Sequence, residues 1–379
     1  MFEEVIHFIR DQYPGQDTIP LHAPVFAGQE KSYLAECVDS TYVSSVGSFV
    51  DAFEEAVARF VGSSFAVAVV NGTQALYTAL QLAGVEPGSE VITQAMTFVA
   101  TANAIRYAGA EPVFIDVERE TLGMSPQALR AFLERNARLE GNRLLNKRSG
   151  RPIAACLPMH TLGHPCRIDE LAAICREWQL PLVEDAAESL GSYYRGRHTG
   201  TFGLLGIFSF NGNKIVTTGG GGMIVTDDEA LARRAKHLTT TAKVAHRWEF
   251  IHDEVGYNFR LPNLNAALGV AQMESLPLFL RSKRELAERY GQFFERTQGC
   301  FVQEPPNGVS NFWLNGLLLD NEQERDRFLE ATNEAGIMTR CLWRPMHLLD
   351  IYRHCQRDEL AVTEELYRRL VNLPSSVRI

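Results

Sequence analysis

The chain has 379 residues, enough for one large core or for a large domain with a smaller one beside it. With 45% hydrophobic and 22% charged residues it reads as a globular protein, and a formal net charge of -9 without any Lys/Arg run argues against nucleic acid. Seven scattered cysteines without CxxC spacing exclude a disulfide framework, and neither a signal peptide nor about 18 uninterrupted apolar residues can be found, so a cytoplasmic protein with no membrane partner is expected.

Residues 1 to about 40 read as an N-terminal arm and helix: a short amphipathic helix, then the extended Ile19-Pro20-Leu21-His22-Ala23-Pro24 laid on another surface. Val46 to Val61 carries Phe49, Phe53, Val57 and Phe60 at helical spacing, a core-facing stripe. Phe65 to Val70 is a buried strand, and Asn71-Gly72-Thr73-Gln74-Ala75-Leu76 turns it into a helix. Small residues there offer free N–H groups and the positive end of the helix dipole to a phosphate. The alternative is an ordinary turn with Thr73 as the cap.

Further βα units follow at Glu90 to Thr93, with a helix over Met96 to Tyr107, and at Pro112 to Asp116. Phe98 sits just past a strand, where its ring would either cover a flat cofactor or join the core. Gly123 to Leu139 predicts a helix, Glu140 to Arg151 a polar, basic loop, and Ile153 to Pro158 a strand. His160 and His164 lack a third ligand at a useful spacing, and Gly163 and Pro165 break the helix that would align them, so no metal site is expected.

Two strand ends then carry chemistry. Leu180 to Val183 leads into Glu184-Asp185-Ala186-Ala187-Glu188, and Gly206 to Phe210 contains Ser209 and leads to Lys214. In an open α/β sheet such ends line the ligand crevice, so one carboxylate and one amine would face a common space. A lysine set against an aspartate suits pyridoxal phosphate (PLP): the amine condenses with the aldehyde and the carboxylate keeps the pyridine nitrogen protonated. Taken singly, each is as easily a surface lysine or a helix-capping Asp. Gly219 to Gly222 lack nucleotide-loop spacing and are expected to form a tight connection passing close to a ligand. The alternation of strands and helices predicts a mostly parallel sheet covered on both faces. From about Asn263 the texture changes to helices over Asn265 to Leu276 and Leu278 to Arg296, a strand over Phe312 to Leu319 and further αβ pieces. The expected division is 1–40, 41–262 and 263–379.

In this order, Asn71-Gly72-Thr73, Thr97-Phe98, Glu184-Asp185-Ala186-Ala187, Phe208-Ser209-Phe210 with Lys214, and Gly256-Tyr257-Asn258-Phe259-Arg260-Leu261-Pro262 make the chain resemble the DegT/DnrJ/StrS family of sugar aminotransferases over essentially its whole length. The resemblance implies the PLP-dependent transferase fold type I, aspartate-aminotransferase-like α/β, with a large domain on a mostly parallel seven-stranded sheet and a small C-terminal α+β domain. It implies PLP bonded to Lys214, Asp185 at the pyridine nitrogen and Phe98 against the ring. Gly72, Thr73 and Ser209 would hold the phosphate, with Asn258 reaching it from the partner subunit of a homodimer. Glu188 departs from the Gln or His that many members carry beside the ring hydroxyl, and a carboxylate there would be protonated or turned away.

Thr41 to Gly47, Thr121 to Pro126 and His237 to Lys243 look like the branch serving legionaminic acid and bacillosamine synthesis. That branch implies glutamate as donor, leaving as 2-oxoglutarate, and the 4-keto carbon of a UDP-linked 2-acetamido-2,6-dideoxyhexose as acceptor. GDP- and dTDP-linked ketosugars stay open as alternatives. A sugar dehydratase on the same fold would carry histidine in place of Lys214. A non-catalytic PLP-binding regulator is the rival of another class, which Lys214 alone does not exclude; no appended DNA-binding domain is visible and the acidic balance disfavours one. Lys243, Arg247, Arg344 and His347 are candidates for contacting the diphosphate or sugar, although a solvated face explains them as well.

Overall fold

The computed structural model describes residues 2–141, 143–297 and 299–379. Met1, Gln298 and Asn142, the last within the expected 140–151 loop, lie outside the described residues.

Two strand ladders make up the large sheet. One runs Phe65–Val69, Gly222–Thr226, Leu205–Ser209, Val183–Asp185, and the other Ile153–Leu157, Glu90–Gln94, Glu111–Ile115. Parallel bridges Cys156↔Leu182 and Met159↔Asp185 join them into seven strands. Only Gly222–Thr226 runs against its neighbours, so the sheet is mostly parallel, as the sequence implied. Such strands, covered on both faces, need apolar side chains in both directions. Leu205 and Ile207 pack on one face with Leu76, Ala79 and Ile105 of helices Gly72–Leu82 and Val99–Tyr107. Phe208 points to the other face, with Phe53 of helix Ser48–Val61 and Leu276 of the long helix Asn263–Phe294.

That long helix replaces the two helices expected around Pro277. A proline in a helix interior costs about 3 kcal/mol relative to alanine. Here the cost is offset by burial on both sides of it: Ala266, Met273 and Leu276 sit in the large-domain core, while Leu286, Tyr290 and Phe294 sit in the core of the C-terminal part. The helix expected over Gly123 to Leu139 is shorter, Pro126–Asn136, capped by the Ser125 hydroxyl. Residues 137–140 and 143–146 are not helix and loop but a pair of short strands, Ala137–Glu140 and Arg143–Asn146.

The C-terminal part carries an antiparallel sheet in the order Cys300–Phe301, Asn315–Leu318, Leu370–Leu373, Arg340–Cys341, with helices Glu322–Glu334 and Ala361–Arg369. The strand expected over Phe312 to Leu319 forms only in its second half; Trp313 precedes it. Helix Phe2–Gln12 also belongs to this core, where Val5 and Ile9 meet Leu286, Phe328 and Val371. A second crossing ties the two parts together. Residues 356–358 run along the outer strand Glu111–Ile115, with Phe114 N donating to Gln356 O at 2.9 Å and Asp358 N to Phe114 O at 3.2 Å.

Candidate active site

Adjacent residues on a strand point to opposite faces, and this divides the labour at the end of Val183–Asp185. Glu184 turns into the protein, where it accepts from the N–H groups of Gly200, Phe202 and Gly203 at 2.8, 2.5 and 2.7 Å and meets His160 Nε2 at 3.1 Å. It is a brace for the 200–203 loop. His160 is taken up by this contact, and His164 lies edge-on against Phe312. Asp185 turns the other way, into a cavity of about 330 Å³ at the strand ends.

Gly72, Thr73, Phe98, Asp185, Glu188, Ser209 and Lys214 all line that cavity. One wall is the start of helix Gly72–Leu82. Its cap is Asn71, whose Oδ1 accepts from Gln74 N at 2.9 Å, rather than Thr73. A helix leaves its first N–H groups without an intrahelical partner, so those of Gly72 and Thr73 are directed at the cavity end of the helix. A Cβ on Gly72 would stand 2.9 Å from the Cβ of Ser209, so only glycine lets the two strand ends close around one anion site. The glycine run serves the same turn: a Cβ on Gly222 would meet the Asn71 carbonyl at 2.5 Å. The close approach is thus backbone to backbone, not backbone to ligand as expected.

The opposite wall holds the acids and the amine. Asp185 Oδ2 accepts from Thr101 Oγ1 at 2.7 Å, and Oδ1 accepts from Ala187 N at 3.2 Å. Burial pushes its carboxyl above the usual carboxylate range, with Thr101, the Ala187 N–H and Lys214 pulling the other way. Lys214 Nζ lies 3.3 Å from Glu188 Oε1 and 4.0 Å from the centre of the Trp313 ring, which itself donates to Asn213 O at 2.7 Å. Glu188 is fully buried and faces the lysine; its other oxygen accepts from Leu162 N at 3.0 Å. Burial pushes its carboxyl up to about 7 although Lys214 and the Leu162 N–H oppose the shift. Phe98 is 49% exposed, which rules out the core reading, and it meets Trp343 edge-on at 6.3 Å.

Five other predicted residues are not in the cavity wall. Asn258 is exposed, held by a bridge to Thr240 and by the Arg260 guanidinium at 3.0 Å. Lys243 and Arg247 are exposed, stacked over Phe250 and Trp248 at 4.1 and 4.3 Å. Arg344 is exposed, and His347 is buried against Glu364 at 3.3 Å, away from any solvated face. In their place the cavity holds Thr101, Met159, Asn211, Asn213, Trp313 and Trp343, which the sequence reading did not select. Thr101 had a faint signal: it stands one helical turn after Thr97, to which it hydrogen-bonds at 2.7 Å. The two tryptophans had none, since they come from the C-terminal part.

A carboxylate buried opposite an amine, with an open helix N-terminus on the third side, fits a flat cationic heterocycle carrying a phosphate. The family model described as the DegT/DnrJ/EryC1/StrS aminotransferase family matches residues 25–379. The chain belongs to that family. DegT/DnrJ/EryC1/StrS proteins of similar sequence include EpsN of Bacillus subtilis (strain 168), whose name places it among pyridoxal phosphate-dependent aminotransferases, 40% identical over 364 residues, or 94% of this chain and 90% of that one. GDP-perosamine synthase of Escherichia coli O157:H7 is 35% identical over 360 residues, 94% of this chain and 93% of that one. Among solved structures, the aminotransferase TlmJ of Streptoalloteichus hindustanus superposes with a TM-score of 0.85 at 29% identity, covering 94% of this chain and 93% of that one. The chain is therefore a PLP-dependent sugar aminotransferase of fold type I. Among the described residues no helix is long and apolar enough to cross a membrane.

Proposed function

We propose that the protein moves an amino group from glutamate to the 4-keto carbon of a UDP-linked 2-acetamido-2,6-dideoxy-4-ketohexose. The observation that carries the reaction is the placement of Lys214, Asp185 and the Gly72–Thr73 helix start around one cavity. PLP, when bound there, supplies an aldehyde and an electron sink. Lys214 is the amine that would hold the cofactor, and as a free amine it would take and return the proton at the substrate carbon. Asp185, fixed by Thr101 and the Ala187 N–H, keeps the pyridine nitrogen protonated. Gly72, Thr73 and Ser209 hold the phosphate, Phe98 covers the ring and Trp313 keeps water from the lysine.

Asn258 completes the phosphate site of the partner subunit in a homodimer. Its exposure supports this, as does its place in the stretch of chain that carries Trp248, Phe250 and Val255, among the described residues three of the most exposed large apolar side chains. The branch segments favour the UDP-linked sugar. A second reading, a GDP-linked 4-keto-6-deoxymannose, is favoured by the similarity to GDP-perosamine synthase. The purified protein with glutamate and a panel of UDP-, GDP- and dTDP-linked 3- and 4-ketosugars, read by mass spectrometry of the aminated sugar and by 2-oxoglutarate release, tests both. Preference for the GDP sugar selects the second reading, and amination of none refutes sugar transamination.

A further inference from the structure

On the side of the large sheet away from the strand that carries Asp185, the pairing of residues 356–358 with Glu111–Ile115 brings together three side chains far apart in sequence. His354 Nε2 lies 3.4 Å from Glu111 Oε2. Cys355 Sγ lies 3.8 Å from that same oxygen and 3.8 Å from the same His354 nitrogen. A tetrahedral zinc ion, bonded to N and O at about 2.0–2.1 Å and to S at about 2.3 Å, requires an N···O edge of about 3.4 Å and two S edges of about 3.6 Å. The three observed separations match one face of that tetrahedron within about 0.3 Å.

We propose that Glu111, His354 and Cys355 bind a thiophilic divalent cation of the zinc class, which clamps the 354–358 segment to the outer strand of the large sheet. A thiolate and a carboxylate balance the charge of the ion, the imidazole stays neutral, and the thiol proton leaves to solvent on binding. The other Glu111 oxygen is held by Arg106, which orients the carboxylate and leaves Oε2 for the ion. A cavity of about 310 Å³, lined also by Arg148, Ser149 and Gln356, leaves the fourth position open to water. No motif marks this set, because Glu111 is separated from His354 by more than half the chain, and metal motifs are read from short spacings. The second group of possible ligands, His237, Asp253 and Glu254, contains no sulfur and is engaged with Arg234.

The clamp has a structural reach. The stretch before it carries Trp343, which lines the catalytic cavity, and Met346, whose N–H donates to Ala95 O at 2.9 Å. The ion would stiffen that wall without touching the reacting groups.

The test is a titration of the chelator-treated, PLP-loaded full chain with Co2+. Uptake of one equivalent with a near-ultraviolet thiolate-to-cobalt band and tetrahedral visible bands is expected, reversed by Zn2+. Cys355→Ser should abolish the near-ultraviolet band. His354→Ala, at a side chain 60% exposed and so safe for folding, should weaken binding about tenfold or more. A band that survives Cys355→Ser, unchanged affinity in His354→Ala, or no band at all would each overturn the proposal. Cobalt bound at the His237 group gives no thiolate band and counts as the last of these.

Discussion

Glu188→Gln should change the pH dependence of stability in a defined direction. In the folded chain the Glu188 carboxyl is buried beside Lys214 and pushed up to about 7, against an ordinary value of 4.5. Below the lower value both folded and unfolded chains hold the proton, and above the higher value both have lost it. Between them the folded chain binds a proton that the unfolded chain has released, so stability falls as pH rises. About 2.5 pH units at about 1.4 kcal/mol each amounts to about 3 to 4 kcal/mol lost between pH 4.5 and 7. Glutamine keeps the shape, can accept through its single oxygen from either Leu162 N or Lys214 but not both, and does not titrate, so the bond it loses shifts its stability by an amount independent of pH. Denaturant unfolding of the PLP-free protein and the variant across this range should show their stability difference changing by about that amount, the wild type losing ground as pH rises. Parallel curves would mean that Glu188 does not titrate in this window. A wild type that instead loses ground on acidification would mean that Glu188 is held ionised by Lys214, and the burial argument would fail.

The other expectations concern the cofactor. Borohydride reduction should leave the cofactor on the peptide containing Lys214, and Lys214→Ala should abolish turnover while PLP still binds through its phosphate and ring; recovery of the adduct on another lysine would reject the assignment. Asp185→Asn should lower the rate about 100-fold, or about 3 kcal/mol of transition-state stabilisation, with an unchanged melting profile, and near-normal turnover would make the acid structural. Gly72→Ala should weaken PLP binding as measured by cofactor titration, since the added methyl meets Ser209, and undiminished affinity would show that the turn can relax. Asn258→Asp should repel the PLP phosphate by about 4 kcal/mol if the charges stand about 4 Å apart at an effective dielectric of 20. Mixed with Lys214→Ala, it should regain activity only if Asn258 serves the partner's site, because one site then carries both defects and the other none; a verified mixed dimer that stays inactive refutes the shared site.

The sheet and the meeting of Asp185 and Lys214 at one cavity were legible because they are local. A buried strand announces itself as an apolar run, and its last residues face the crevice by topology alone, which suffices for Asp185, Ser209 and Lys214. What escaped depends on contacts across the chain. Trp313 and Trp343 reach the cavity from the C-terminal part, and nothing near them in sequence marks a site. Pro277 read as a break because propensity is a local quantity, whereas the burial of Leu276 and Leu286 on either side is not. The basic residues lie outside the cavity wall for a different reason: Arg344 and Lys243 stand out in the sequence by charge, and charge on a surface does not specify where a side chain points. The helix start is capped by Asn71 and not by Thr73, as the alternative reading of that turn would have it, within the usual uncertainty of a helix end.

Packing of helix Phe2–Gln12 into the C-terminal core bears on how the chain is made. Val371, one of its partners, leaves the ribosome about 360 residues after it, which at roughly 5–20 residues per second is a wait of roughly 20 to 70 s. Through most of that interval, until Leu286 and the partners after it are made, the large sheet can form while Val5 and Ile9 have little native surface to cover them. The growing chain therefore carries an amphipathic helix with an uncovered apolar face, a natural point of capture for a chaperone.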